Sequence, residues 1–126
     1  MKKIFCSIVA LLSITASPTF AQDAAKGEKA FKKCIACHAV GESAANKVGP
    51  MLNNLIGRKA ALVENFKYSQ GMIDAGVAGW VWSEENVATF LTDPRKTVKG
   101  TKMAFGGIKK PEEVADLIAY LKTFTK

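Results

Sequence analysis

Three stretches of the chain repeat apolar residues at helical spacing, and each is bounded by residues that favour helix ends. In the first, "DAAKGEKAFKKC", Asp23 is predicted to cap the N-terminus. Its apolar face comprises Ala24, Gly27, Ala30, Phe31 and Cys34. Because a glycine inside a helix costs about 1 kcal/mol relative to alanine, Gly27 predicts a close contact with a second helix.

The other two helices lie in the C-terminal half. In "SEENVATFLTDP", Ser83 is predicted to begin a helix that Asp93 and Pro94 end. In "KPEEVADLIAYLKTF", Pro111 occupies the first turn. The two apolar stripes are Val87, Phe90 and Leu91 in the first and Val114, Leu117, Ile118 and Leu121 in the second. No stretch alternates well enough for a sheet, so the prediction is an all-α fold with long loops and a short apolar segment at 51–56.

The N-terminus has the pattern of a secretory signal peptide. Two lysines precede the apolar run "IFCSIVALLSITA", and small residues follow it. A membrane anchor is the alternative, but the run is shorter than the roughly 20 residues that a spanning helix needs. We therefore expect residues 1–21 to be cleaved off between Ala21 and Gln22. The remaining 22–126 predict one exported domain with 16 basic and 11 acidic residues, a net charge of +5.

The motif "KKCIACHAV" holds Cys34, Cys37 and His38, which are the only cysteines and the only histidine after cleavage. A structural zinc site needs four such ligands. Only three are present, so a structural zinc site is excluded. A thioredoxin-like thiol pair needs a βαβ context that this chain lacks, and a disulfide across so small a loop would add little stability. C-x-x-C-H is the attachment motif of c-type haem. Its two thiols can each bond one vinyl group, and His38 then faces the iron.

A single histidine excludes two histidine ligands from one chain. The sixth iron ligand is then a methionine, another group, or nothing, and a His/Met pair raises the reduction potential as in electron-carrying cytochromes. Met51 is close behind His38, Met72 follows an expected loop, and Met103 lies in the glycine-flanked loop "KGTKMAFGGIKK". Spacing favours Met103 without excluding Met72. Because long loops alone pack poorly, we expect a buried haem to be their core and the apo chain to be largely unfolded.

Taken together, these motifs resemble a class I c-type cytochrome, close to the bacterial cytochrome c2 and mitochondrial cytochrome c group. The resemblance covers essentially all of residues 23–124. The matching segments are "KCIACH", "KVGPMLNNLIGRKA", "FKYS", the helix start at "WSEEN", "DPRKTVKGTKMAFGGIKK" and "DLIAYLK".

The resemblance implies roles for particular residues. Met103 corresponds to the distal iron ligand, and the Pro50 carbonyl corresponds to the acceptor of the His38 Nδ1 proton. Tyr68 and Trp82 correspond to the hydrogen-bond donors to a buried haem propionate, and Arg58 corresponds to its positively charged partner. The expected crossing of the terminal helices is formed by Gly27, Phe31, Leu117 and Tyr120.

The chain departs from the family pattern in two places. Where the family often has a tyrosine beneath the methionine, this chain has Phe90, which removes a hydroxyl near the Met103 sulfur. Residues 69–80 form a longer segment than the mitochondrial type has, so the roles of Met72 and Trp80 are left open.

Basic residues are frequent in the segments that resemble the surroundings of the exposed haem edge. They are Lys33, Lys47, Arg95, Lys96, Lys99, Lys102, Lys109 and Lys110. Such a ring steers acidic redox partners and speeds association by factors of about 10 to 10³. Nucleic acid also attracts positive charge, but export argues against it.

The resulting hypothesis is a soluble, monomeric, periplasmic one-electron carrier with one covalent haem c, and not an enzyme. By resemblance, its donor is a bc1-type complex and its acceptor is an oxidase, a photosynthetic reaction centre or a peroxidase. A second hypothesis keeps the haem but makes Met103 labile, which would give a gas or peroxide sensor or a weak peroxidase. A third makes the domain a fixed subunit of a dehydrogenase.

Overall fold

The computed structural model describes residues 22–126, and the predicted signal peptide lies outside this range. Five helices follow one another along the chain. They are α1 (Ala24–Phe31), α2 (Gln70–Val77), α3 (Glu84–Thr92), α4 (Pro94–Thr97) and α5 (Pro111–Lys122). The only β feature among the described residues is an isolated bridge between Lys59 and Val81. The predicted all-α class is therefore confirmed.

The three helices predicted from periodicity begin as their capping residues indicate. The Asp23 carboxylate accepts hydrogen bonds from the backbone N–H groups of Ala25 and Lys26 at the start of α1. The Ser83 hydroxyl accepts one from Asn86 N at the start of α3. Pro111 occupies the first turn of α5, where the missing N–H has no intrahelical partner to lose.

Two helices were not predicted. The segment 69–80 contains α2, which Ser69 caps by accepting from Met72 N. Met72 lies in the first turn of this helix, directly after the loop that was expected to precede it. Asp93 does end α3, but its side chain also caps α4 by accepting from Lys96 N. The 51–56 segment forms turns and contributes buried Leu55 to the core.

The crossing of α1 and α5 is the main helix–helix contact of the described chain, and α3 also packs on α5. At this crossing, a Cβ atom on Gly27 would lie only 1.9 Å from the Asp116 carbonyl oxygen. The Phe31 and Tyr120 rings pack with centroids 5.4 Å apart, and Leu117 is 1% exposed. The predicted close contact at Gly27 is confirmed.

The long segment between α1 and α2 is held by scattered backbone hydrogen bonds instead of a regular ladder. Leu52 N donates to Ala39 O at 3.0 Å, and Gly57 N donates to Trp82 O at 2.9 Å. The first bond folds the loop on itself, and the second brings it against the segment that leads into α3. Among residues 22–126, no helix combines the length and apolarity needed to cross a membrane.

Candidate haem-binding site

A cavity of about 250 Å³ lies between α1, α3, α5 and the long loops. Most of its wall is apolar, and most of the lining residues lie in loops and turns, not in helices. It brings together all eight haem-site residues expected from the sequence. These are Cys34, Cys37, His38, Pro50, Arg58, Tyr68, Trp82 and Met103. Side chains separated by up to 69 positions in the sequence therefore line one space.

The two cysteines lie in a series of turns that continues directly from α1. Cys34 N donates to Phe31 O at 2.8 Å, and both Cys37 N and His38 N donate to Cys34 O, at 3.0 and 2.8 Å. The thiols are not bonded to each other. Burial raises the pKa of Cys34, although nearby Lys33 acts in the opposite direction. The disulfide alternative is thus not realised, and both sulfurs remain available for bonding to another group.

A hydrogen bond to the backbone fixes the tautomer of the His38 ring. Its Nδ1 lies 2.7 Å from the Pro50 carbonyl oxygen, which can only accept, so Nδ1 carries the proton and donates it. Burial lowers the pKa of His38, which favours the neutral ring, while the bond to Pro50 acts against this shift. Nε2 therefore keeps a free lone pair, as a metal ligand requires.

The structure distinguishes among the three methionines. Met103 lies in the loop between α4 and α5 and lines the cavity, with its backbone N donating to Thr101 Oγ1 at 3.3 Å. Met72, which is buried, lines the cavity too. Met51 instead lines a separate surface depression of about 470 Å³. This leaves two thioethers, Met72 and Met103, as candidate ligands from the chain.

One part of the cavity wall is polar and suits a buried acidic group. Arg58 Nη1 donates to Asn53 O at 2.8 Å, but its buried Nε has no hydrogen-bond partner within residues 22–126. The Tyr68 hydroxyl accepts from Val63 N at 3.1 Å and keeps its own proton to donate. Burial raises the pKa of Tyr68 and lowers that of Arg58. An orphaned guanidinium donor beside a free phenol fits the carboxylate that a haem propionate would supply.

The remaining wall is a packed aromatic and aliphatic surface. Trp82 contacts Phe90 edge-on with ring centroids 5.1 Å apart, and it also packs edge-on with Trp80 at 5.9 Å. Phe90 is buried and lines the cavity, so the position that departs from the family pattern does belong to the site. The apolar segment predicted at 51–56 contributes Leu52 and Leu55 to the wall. Four further lining residues had no individual role predicted from the sequence. They are Phe66, Ser69, Thr101 and Phe105. Most of these lie in loops, where no periodicity marks a buried face.

The eight basic residues expected near the haem edge are all exposed. Lys33 and Lys102 line the cavity. Three of the eight already make contacts: Lys33 pairs with Glu113, Lys47 Nζ donates to Ile35 O, and Lys109 Nζ donates to Thr92 O at 2.7 Å. The other five, Arg95, Lys96, Lys99, Lys102 and Lys110, make no such side-chain contact with any residue of 22–126.

Comparison with known proteins agrees with this geometry. The family model for cytochrome c matches residues 24–125. Cytochrome c2 of Agrobacterium tumefaciens (strain II Chrys) is 54% identical over 99 residues, covering 79% of this chain and 89% of the relative. Cytochrome c2 of Blastochloris viridis is 45% identical over 114 residues, covering 90% and 87%. The solved structure of cytochrome c2 from Rhodospirillum centenum superposes with a TM-score of 0.77 at 42% identity, covering 82% of this chain and 99% of that one.

The chain therefore belongs to the cytochrome c family, as the resemblance implied. It is a class I c-type cytochrome with the small all-α fold of that class. It carries covalently bound haem c with its iron, and it transfers electrons instead of acting as an enzyme.

Proposed function

We propose that this protein is a soluble periplasmic one-electron carrier whose haem iron is held by His38 and Met103. The observation that carries the proposal is the single cavity that joins Cys34, Cys37, His38 and Met103 within an apolar wall. When bound there, the haem supplies a one-electron Fe(III)/Fe(II) couple. A His/Met ligand pair is the combination that gives electron-carrying cytochromes their high potential.

The chain's own groups attach and orient the haem. The Cys34 and Cys37 thiols, which are free and line the cavity, would hold the haem covalently through one thioether each to its two vinyl groups. The Pro50 carbonyl accepts the Nδ1 proton of His38, which leaves Nε2 as the nitrogen that would bind the iron. Arg58, Tyr68 and Trp82 would surround a propionate. There the Tyr68 hydroxyl proton and the Arg58 Nε, which has no partner within residues 22–126, would offset the cost of burying its charge.

Matched methionine variants test the ligand assignment. In oxidised Met103→Leu protein, the far-red sulfur-to-iron charge-transfer band should disappear, and the reduced protein should bind carbon monoxide. Met72→Leu is the control, because it removes the other thioether that lines the cavity. This variant should keep the band and exclude carbon monoxide. The reverse pattern would assign the ligand to Met72.

The wild-type spectrum decides between the carrier and a protein with a labile methionine. Phe90 supplies no hydroxyl to the Met103 sulfur, which is the feature that favours a weaker ligand. A wild-type protein that shows no far-red band and binds carbon monoxide readily would favour gas or peroxide chemistry. A persistent band and no response to carbon monoxide would establish the closed carrier.

Export and processing form part of the proposal. Residues 1–21 are removed as a signal peptide, and 22–126 act as one monomeric domain. An intact mass equal to Gln22–Lys126 plus one haem, measured on protein released from the periplasm, tests both the cleavage site and the single covalent haem. A protein active in isolation would also argue against a fixed dehydrogenase subunit.

The partners are acidic surfaces of redox proteins in a respiratory or photosynthetic chain. A bc1-type complex is the donor, and an oxidase, a reaction centre or a peroxidase is the acceptor. Because Lys33 already pairs with Glu113, Lys102 should contribute more to docking than Lys33. Lys102→Glu should therefore slow electron transfer with a bc1-type complex more than Lys33→Glu at low salt, and both effects should shrink as salt screens the charges. Equal rates for both variants and wild type would contradict this docking face.

A further inference from the structure

The segment 47–50 is bound closely to the haem-attachment turn. Gly49 N donates to Cys37 O at 2.8 Å, and one residue later the Pro50 carbonyl accepts the His38 Nδ1 proton at 2.7 Å. Lys47 N donates to Gly49 O at 2.9 Å, and the Lys47 side chain reaches Ile35 O. Two neighbouring residues of this segment, Gly49 and Pro50, therefore hold two neighbouring residues of the motif, Cys37 and His38.

Gly49 lies directly against the His38 imidazole. A Cβ atom built on Gly49 would be 2.3 Å from Cε1, 2.7 Å from Nδ1 and 2.8 Å from Nε2 of the ring. No real Cβ approaches that closely, so any side chain at this position must displace the ring or the segment. The ring cannot simply rotate away, because Nδ1 is held by Pro50.

Backbone conformation does not explain this glycine. Gly41 and Gly57 adopt positive φ angles of 103° and 86° and have open space where a Cβ would lie, so glycine there serves the turn. Gly49 is not among the residues with positive φ. What the structure requires at position 49 is the absence of a side chain next to the imidazole.

We propose that Gly49 is a positioning residue for the iron ligand. Its bare backbone supports one side of the His38 ring, which sets the ring plane and keeps Nδ1 on the Pro50 carbonyl. That hydrogen bond makes the ring a stronger electron donor, and stronger donation favours Fe(III). A side chain at position 49 therefore loosens the bond and raises the reduction potential. The inference rests on the proposed ligation by His38.

The test compares Gly49→Ala with Gly106→Ala in the haem-loaded protein. Gly106 is the matched control, because a Cβ there meets nothing within 4 Å and its φ is not positive. In the reduced protein, the His38 Nδ1 proton should exchange with solvent about tenfold faster in Gly49→Ala than in wild type, the factor expected for losing one ordinary hydrogen bond. Its reduction potential should also rise. Gly106→Ala should change neither quantity, and equal behaviour of the two variants would overturn the inference.

Two further measurements test the proposal even if the Gly49→Ala protein does not fold with haem attached. In wild type, the Nδ1 proton should exchange slowly, and exchange as fast as that of an exposed imidazole would refute the positioning role. Val48→Gly adds backbone freedom at a 78% exposed position without adding bulk. It should move exchange and potential in the same directions by a smaller amount, and no change would again count against the role.

The outcome for His38 ligation is separate. Ligand ring protons lie in the strong ring-current field of the haem, so their positions in the proton spectrum report coordination directly. A His38 ring outside that field in wild type would refute the proposed function itself. A coordinated ring that is unaffected by Gly49→Ala would refute only the positioning role.

Discussion

Gly27→Ala at the crossing of α1 and α5 separates local helix preference from tertiary packing. By helix propensity alone, replacing glycine with alanine should stabilise α1 by about 1 kcal/mol. In the structure, the new Cβ would lie 1.9 Å from the Asp116 carbonyl oxygen and 2.7 Å from Tyr120 Cβ. The two effects have opposite signs, so one substitution decides which is larger.

The magnitude follows from the geometry. Carbon–oxygen contacts rarely fall below about 3.3 Å, so the helices must separate by roughly 1.4 Å at this point. The obstacle is backbone, which no rotamer change can move. Overpacking of a well-packed site costs about 1–3 kcal/mol, occasionally more, and the buried residues Phe31 and Leu117 would also lose contact. We expect a net loss of about 2 kcal/mol after the propensity gain is included.

Guanidinium unfolding of the purified haem protein measures this loss. Helical circular dichroism and tryptophan fluorescence should give coincident transitions, and the midpoint should fall without a change in slope. Lys26→Ala is the control, because Lys26 is an exposed neighbour in the same helix. It should stay within about 0.5 kcal/mol of wild type. A Gly27→Ala protein as stable as wild type, or more stable, would refute the packing argument.

Three other perturbations follow from local contacts. Buried Asp116 accepts the Asp23 N–H at 2.8 Å, which ties α5 to the start of α1. Asp116→Asn should lower the free energy of unfolding by about 1 kcal/mol, the difference between a charged and a neutral acceptor, and an unchanged unfolding midpoint would show that the charge is unimportant. Ser83→Ala removes the cap of α3 and should cost about 1 kcal/mol by the same assay, whereas no loss would mean that solvent replaces the cap. Burial raises the pKa of Tyr68 above its usual value of 10.0. The unfolded chain therefore loses this proton at a lower pH than the folded chain does. As a result, the free energy of unfolding falls as the pH rises above 10.0 toward the raised pKa of the folded state. Tyr68→Phe should remove this part of the alkaline loss, and identical pH profiles for variant and wild type would contradict the assignment.

Helices that carry their own start signals could be predicted from the sequence. Caps at Asp23 and Ser83 and a proline at position 111 act over one turn, and the apolar stripes repeat at the helical period. In α2, by contrast, Gly71 and Gly76 dilute the pattern, yet both fit closely against the backbone carbonyls of Lys99 and Ala60. That helix is stabilised by contacts that its own sequence does not display. With four residues, α4 is too short to show any period.

The sequence by itself determined the chemistry of attachment: C-x-x-C-H with a single histidine selects a covalent haem and limits the iron ligands. These choices depend on residue type and short spacing, which the chain carries directly. Only the tertiary structure decided that Met51 lies outside the cavity, that Met72 shares it with Met103, and that Gly49 lies against the His38 ring. Those facts depend on how loops fold around a common apolar centre. Because hydrophobic burial is non-directional, spacing along the chain does not specify which loop residues face that centre.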